Sequence, residues 1–136
     1  LVQRRAFEGR RLSGLEQEMF GWDHADAAAL LENRWSLPTE FVNLIQQHTQ
    51  IEELLIQGPS AFGSASVALA SLLPSCSDAK WSEQAEFVAG FKRLTDSSEK
   101  ELGLLFREVD ESTADFAPLL KLPVPSKSLS SYLESE

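Results

Sequence analysis

The chain has 136 residues, with 21 acidic side chains against 12 basic ones, a formal net charge of −9, and 43% apolar residues. That length and apolar share suffice for one globular domain with a real core, and the acidity disfavours a surface built to neutralise nucleic-acid phosphates or anionic lipid. The single cysteine, Cys76, excludes an internal disulfide and a cysteine-based zinc knuckle, as a reducing compartment permits.

The uncharged stretch from Gln57 to Ser77 is diluted by Gly58, Pro59, Gly63, Pro74 and six serines, which rules it out as a membrane span. The expectation is a soluble, cytoplasmic chain with neither nucleic acid nor membrane as partner. Position 1 is Leu1 and the only methionine is Met19, so the chain is read as the later part of a longer protein.

Apolar residues recur at three- and four-residue spacing without alternating strand patterns or hairpin turns, so the expected fold is all-α, a compact multi-helix bundle. Residues 1–12 carry Arg4, Arg5, Arg10 and Arg11 against Glu8 and read as a solvated helix broken at Gly9. Ser13 with Glu16 fits a capping box opening a helix through Phe20 that Gly21 ends. A second helix spans about Asp23 to Trp35, with His24, Ala27, Ala28, Leu31 and Trp35 on its buried face and Asp26, Glu32 and Arg34 largely off it. Ser36-Leu37-Pro38 breaks it, because the residue before a proline avoids helical angles. Burial of the Trp35 indole is expected to lock that corner. Thr39 is the expected cap of a third helix that carries Phe41, Val42, Leu44, Ile45 and His48 on one arc.

Ile51 to Ile56 extends as helix up to the breaker Gly58-Pro59. Val67 to Leu73 suggests a small-residue helix ended by Pro74, and Ser75 to Asp78 a loop. Trp81 precedes a helix burying Phe87, Val88, Phe91 and Leu94. Ser98 with Glu101 forms a second capping box, and the next helix presents Leu102, Leu105, Phe106, Val109 and Phe116 as a stripe that Pro118 stops. The expected organisation is one helical domain over 1–120 and a Ser/Pro-rich tail over 121–136 with little ability to bury surface.

Few residues offer chemistry. The Gly58 to Gly63 stretch lacks the lysine of a phosphate-cradling P-loop, and there is no Gly-x-Ser-x-Gly elbow. Cys76 has no histidine nearby in sequence to activate it and reads as an incidental or buried thiol. The two histidines, His24 and His48, open the second helix and close the third, with both rings expected to face inward. Such histidines are commonly structural, one ring nitrogen donating to a carbonyl or carboxylate. The sharper alternative is a metal or phosphate site built from His24, His48 and carboxylates such as Asp23 or Asp26. Those two aspartates are equally well explained by the helix N-terminus, where negative charge meets the macrodipole. No metal ligand set and no cofactor is therefore assigned.

The stretch from Leu15 to His48 resembles the later half of the HDOD domain, the HD-related output domain of bacterial signalling proteins. The match runs through Glu16, Phe20, Gly21, Asp23, His24, Leu31, Trp35, Leu37, Pro38 and His48. Ala28 stands where the family commonly has glycine, and Thr49 where it commonly has a second histidine. No His-Asp dipeptide occurs, and the only tyrosine is Tyr132 in the tail.

The resemblance implies an HD-like helical fold and a degenerate relative of metal-dependent phosphohydrolases. Such a relative would be a non-catalytic output or scaffold module that contacts other signalling proteins or domains, or holds a small ligand near Asp23, His24 and His48. Glu16, Phe20, Gly21, Trp35, Leu37 and Pro38 would be its structural motif. The alternative is a residual metal-dependent phosphohydrolase acting on a nucleotide or cyclic dinucleotide.

Overall fold

Helix signals in the sequence become helices in the computed structural model, which describes residues 1–75, 78, 80–123, 125 and 127–134. There is no strand among them, and the fold is all-α. The chain forms two compact units, Leu1–Leu72 and Leu73–Glu136. The expected boundary at 120/121 lies within the second of these units. Cys76 lies outside the described residues.

In the first unit, α1 (Val2–Glu8) and α2 (Leu12–Phe20) each end on a glycine in the left-handed region, Gly9 at φ 62° and Gly21 at φ 74°. Glycine takes that conformation without steric cost, and the cap N–H groups bond back to Arg5 and Gln17 carbonyls. Then follow α3 (His24–Arg34), α4 (Thr39–Gln47), α5 (Ile51–Gln57), a 3-10 turn (Gly58–Ala61) and α6 (Phe62–Ala70). Helix α3 packs on α4, and α6 on both α4 and α5. Leu15, Ala25, Ala29, Val42, Ile51, Leu54, Ala65, Ala68, Leu69 and Leu72 are buried.

Two expected caps do not form. Arg11 is the N-cap of α2 and Pro38 that of α4, neither with a side-chain cap bond; Ser13 and Thr39 both lie inside the helices. The buried face of α3 also differs. Ala25, Ala29 and Glu32 are buried, whereas Leu31 is 51% and Trp35 68% exposed. At 100° per residue that is a rotation of roughly a third of a turn from the expected arc. The small Ala25 and Ala29 occupy the buried face, and the bulkier Leu31 and Trp35 are left at the surface. Trp35 therefore does not lock the corner. Trp35→Ala should move the thermal midpoint by no more than about 0.5 kcal/mol equivalent, the usual range for an exposed site, as scanning calorimetry would check. Phe41 is also exposed, at 59%.

Helices α1 and α2 are tied by charge. Arg4 donates to Glu8 (2.5 Å) and Glu18 (2.8 Å), and Arg10 to Glu18 (2.8 Å) and Glu8 (3.3 Å). Hydrogen bonds from Arg4, and from Arg10 behind it, hold both carboxyls below the ordinary glutamate range. A carboxylate with a depressed folded-state value contributes stability above its unfolded value and loses it as pH falls through the folded one. Amide exchange in α1 should therefore accelerate as pH drops below the ordinary glutamate range, after correction for intrinsic rates. Glu18→Gln should produce part of that acceleration at pH 7, and added salt should mimic it.

The second unit contains α7 (Gln84–Thr95), α8 (Glu99–Leu120) and α9 (Ser130–Leu133). Ser98 and Glu101 form the expected capping box: Ser98 Oγ accepts from the Glu101 N–H, and Glu101 accepts from the Ser98 N–H at 2.7 Å. Trp81, Phe87, Phe91, Leu102, Phe106, Ala117 and Tyr132 are buried. Leu102 and Phe106 keep the expected stripe, but Leu105 and Phe116 are exposed. Pro118 does not stop α8, which continues to Leu120 and closes on Lys121 in the left-handed region at φ 54°. A proline removes the bond to, and crowds, the carbonyl four residues before it, so its cost falls on the preceding turn of α8 and does not end the helix at Pro118.

The Ser/Pro-rich stretch also differs from a tail that buries little. The Asp110 carboxylate on α8 accepts from the N–H groups of Leu129 (2.7 Å) and Ser130 (3.0 Å) and from the Ser130 hydroxyl (2.7 Å). That carboxylate caps α9 from 20 residues away, and Tyr132 is left 7% exposed against Trp81. No helix among the described residues is long and apolar enough to cross a membrane.

Candidate functional site

The end of α2 and the start of α3 are three residues apart, and their local chemistry places the first histidine. Gly21 turns the chain out of α2, and Asp23 stands immediately before α3. Its Oδ1 accepts from the N–H groups of Ala25 (2.9 Å) and Asp26 (3.2 Å), while Asp26 Oδ2 accepts from the Asp23 N–H (3.2 Å). This reciprocal arrangement is a capping box made with aspartates, and it occupies both carboxylates at the helix N-terminus. Asp23 is buried and His24 becomes the first residue of α3.

Glu16, on α2, receives both the His24 N–H (3.0 Å) and the ring Nδ1 (2.5 Å) at one oxygen, Oε2. It therefore orients the histidine and takes no part in capping its own helix. The His24 side chain is 44% exposed and that of Glu16 only 13%, so the ring stands at the rim and the carboxylate lies below it. The expectation of an inward-facing His24 ring is not met.

His48 is the half-buried residue that closes α4. Its Nδ1 lies 2.5 Å from the Ile45 carbonyl, and its own carbonyl accepts from the Ser71 hydroxyl (3.0 Å) that follows α6. The two imidazoles meet: His24 Nε2 and His48 Nε2 are 3.1 Å apart, with ring centroids at 5.1 Å and planes inclined by 52°.

A shallow cavity of about 250 Å³ in the same unit is lined by Asp23, Asp26, Thr49 and Glu53 among others. The anionic lining favours a cation over a phosphate there. Among the described residues no three His, Cys, Asp or Glu side chains converge as a metal-ligand set. The Glu16–His24–His48 array thus brings two ring nitrogens onto each other, with a carboxylate and a carbonyl behind them.

The remaining motif residues are structural or surface. Phe20 stacks on Trp22 at 5.5 Å, and each is 49% exposed. The Leu37 N–H bonds to the Glu32 carbonyl at 3.2 Å, and the Pro38 carbonyl accepts from Phe41 and Val42 to start α4. Sequence reasoning missed the link from Glu16 to His24, whose only signal is an acid eight residues before a histidine across a glycine turn. It also missed Glu32, which is 6% exposed with Oε2 buried and unpaired, because that residue falls on the polar side of the expected arc.

Residues 1–51 match the family model described as the HDOD domain. Comparison with curated proteins and with solved structures found no significant match.

Proposed function

We propose that this chain, whose residues 1–51 match the HDOD domain model, is a non-catalytic output module acting by contact with other signalling proteins. The observation that carries this reading is the apolar side-chain surface left open within the matched residues. Trp22, Leu31, Trp35 and Phe41 are each about half exposed or more. Leu31 and Trp35, four residues apart, share one face at the end of α3, and tryptophan is among the residues most enriched at binding hot spots. The site chemistry agrees. Catalytic metal centres ordinarily use three protein ligands and an open position, and here two nitrogens converge.

The alternative, a residual metal-dependent phosphohydrolase, makes opposite demands on experiment. A photo-crosslinking residue placed at position 31 or 35 of the protein in its native cell should give discrete adducts with a signalling partner. The exposed polar positions Asn43 and Gln46 should give none. The purified protein with added Mn²⁺ should leave a panel of nucleotides and cyclic dinucleotides intact. Hydrolysis of any of them that disappears in His24→Ala, or the absence of adducts at both positions, would overturn the reading.

A further inference from the structure

We propose that the later part of α8 is a docking seat for an amphipathic helix with basic edges, carried by a partner protein. The seat lies in the second unit and does not depend on the open surface of the first. Leu105, Val109, Ser112, Phe116 and Leu119 follow one another at spacings of four, three, four and three residues. That alternation is the seam of a helix that pairs with another helix. The unit's own core is built on a different face. Leu102, Phe106 and Ala117 are the buried residues of α8, and at 100° per residue their mean direction lies roughly a quarter turn from the seam. The seam itself is open, with Leu105 39%, Phe116 61% and Leu119 75% exposed.

The surface beside these residues is concave. A cavity of about 430 Å³ is lined by Leu105, Val109 and Phe116, with Leu120 and Leu122 at its far end. Leu122 reaches it because Lys121 takes left-handed angles and the Leu122 N–H donates to the Ala117 carbonyl at 2.9 Å, turning the chain back. From Leu105 to Leu119 the seam runs about 20 Å at 1.5 Å per residue, the length of about four turns of a partner helix.

Charge selects the partner. Glu108 and Asp115, seven residues apart, stand immediately before Val109 and Phe116 along the solvent side of the seam, and Glu111 lies between them in sequence. Glu108 and Asp115 have no hydrogen bond or ion pair with another described residue. Positions that flank the seam of paired helices choose partners by opposite charge, so the helix that fits carries lysine or arginine there. A second copy would bring the same two acids and the same net charge of −9, which opposes self-pairing. An anionic membrane is disfavoured for the same reason.

The test uses the full chain and three labelled peptides of equal length, read by fluorescence anisotropy. One is an amphipathic helix with leucine along its seam and lysine at its edges. The second replaces each lysine by glutamate, and the third scrambles the first, keeping its charge and losing its stripe. The lysine-edged helix should bind one per chain, and tighter than either of the others by about tenfold or more, since like charge and a lost seam each oppose docking. Phe116→Ala with Leu119→Ala, at positions the core does not use, should weaken that binding by about tenfold. Glu108→Lys with Asp115→Lys should move the preference to the glutamate-edged helix. Circular dichroism checks that both variants stay helical. Equal affinity for the lysine-edged helix and its scramble would overturn the proposal, as would unchanged binding in both variants or no binding at all. Sedimentation showing a dimer that Phe116→Ala with Leu119→Ala dissociates would overturn it too, making a second copy the occupant.

Discussion

Phe106→Ala should lower the stability of the second unit by about 3–5 kcal/mol, the usual range for an aromatic removed from a closed core. Phe106 is 1% exposed on α8 and lies 5.8 Å from the Trp81 ring and 5.6 Å from that of Phe87. Those two rings are themselves 5.3 Å apart, and Tyr132 stands edge-on to Trp81 at 5.6 Å. Removing the shared ring leaves a void that three rigid aromatics cannot close by small movements, so the transfer and cavity terms both apply. Urea unfolding followed by tryptophan fluorescence would measure the loss. A loss under about 1 kcal/mol would show that this cluster is not what holds the unit together.

Glu32→Met should raise stability by about 1–3 kcal/mol, the cost of leaving a buried polar group unsatisfied. Glu32 shares the buried face of α3 with Ala25 and Ala29, and its Oε2 is both inaccessible and without a partner. Methionine has similar volume and an adaptable shape, so the substitution removes the unsatisfied oxygen without opening a cavity. An increase in the urea midpoint at unchanged slope is the expected result. A decrease would mean that the carboxylate contributes a favourable contact that methionine cannot replace.

The sequence carried the helix ends well where a single residue decides them. Gly9 and Gly21 stop α1 and α2 because they alone take left-handed angles freely, and Ser98 with Glu101 starts α8 through bonds within four residues. What failed was the orientation of helices, above all α3. Leu31 and Trp35 suggested a buried arc by their bulk, yet the buried face carries alanines, and which face a neighbour covers is a property of the pair that one helix cannot disclose. The same holds for Asp110 and Ser130, whose bond spans 20 residues. In the candidate site the two histidines were legible as residues. That their Nε2 atoms meet, and that Glu16 stands behind one of them, depends on how α2, α3 and α4 come together.

Three turns in this chain use a side-chain-bearing residue where glycine would sit more comfortably. Ser36, Asp96 and Lys121 all have φ between 54° and 56°, beside the glycines at 9 and 21 that do the same work without strain. Aspartate visits that region readily, whereas a serine or lysine there costs about 1–2 kcal/mol. The molecule thus holds unused stability at two solvent-facing corners, Ser36 and Lys121, neither of them among the aromatic contacts or the histidine pair. Glycine at those two positions would leave the histidine pair and the open tryptophans of the first unit untouched.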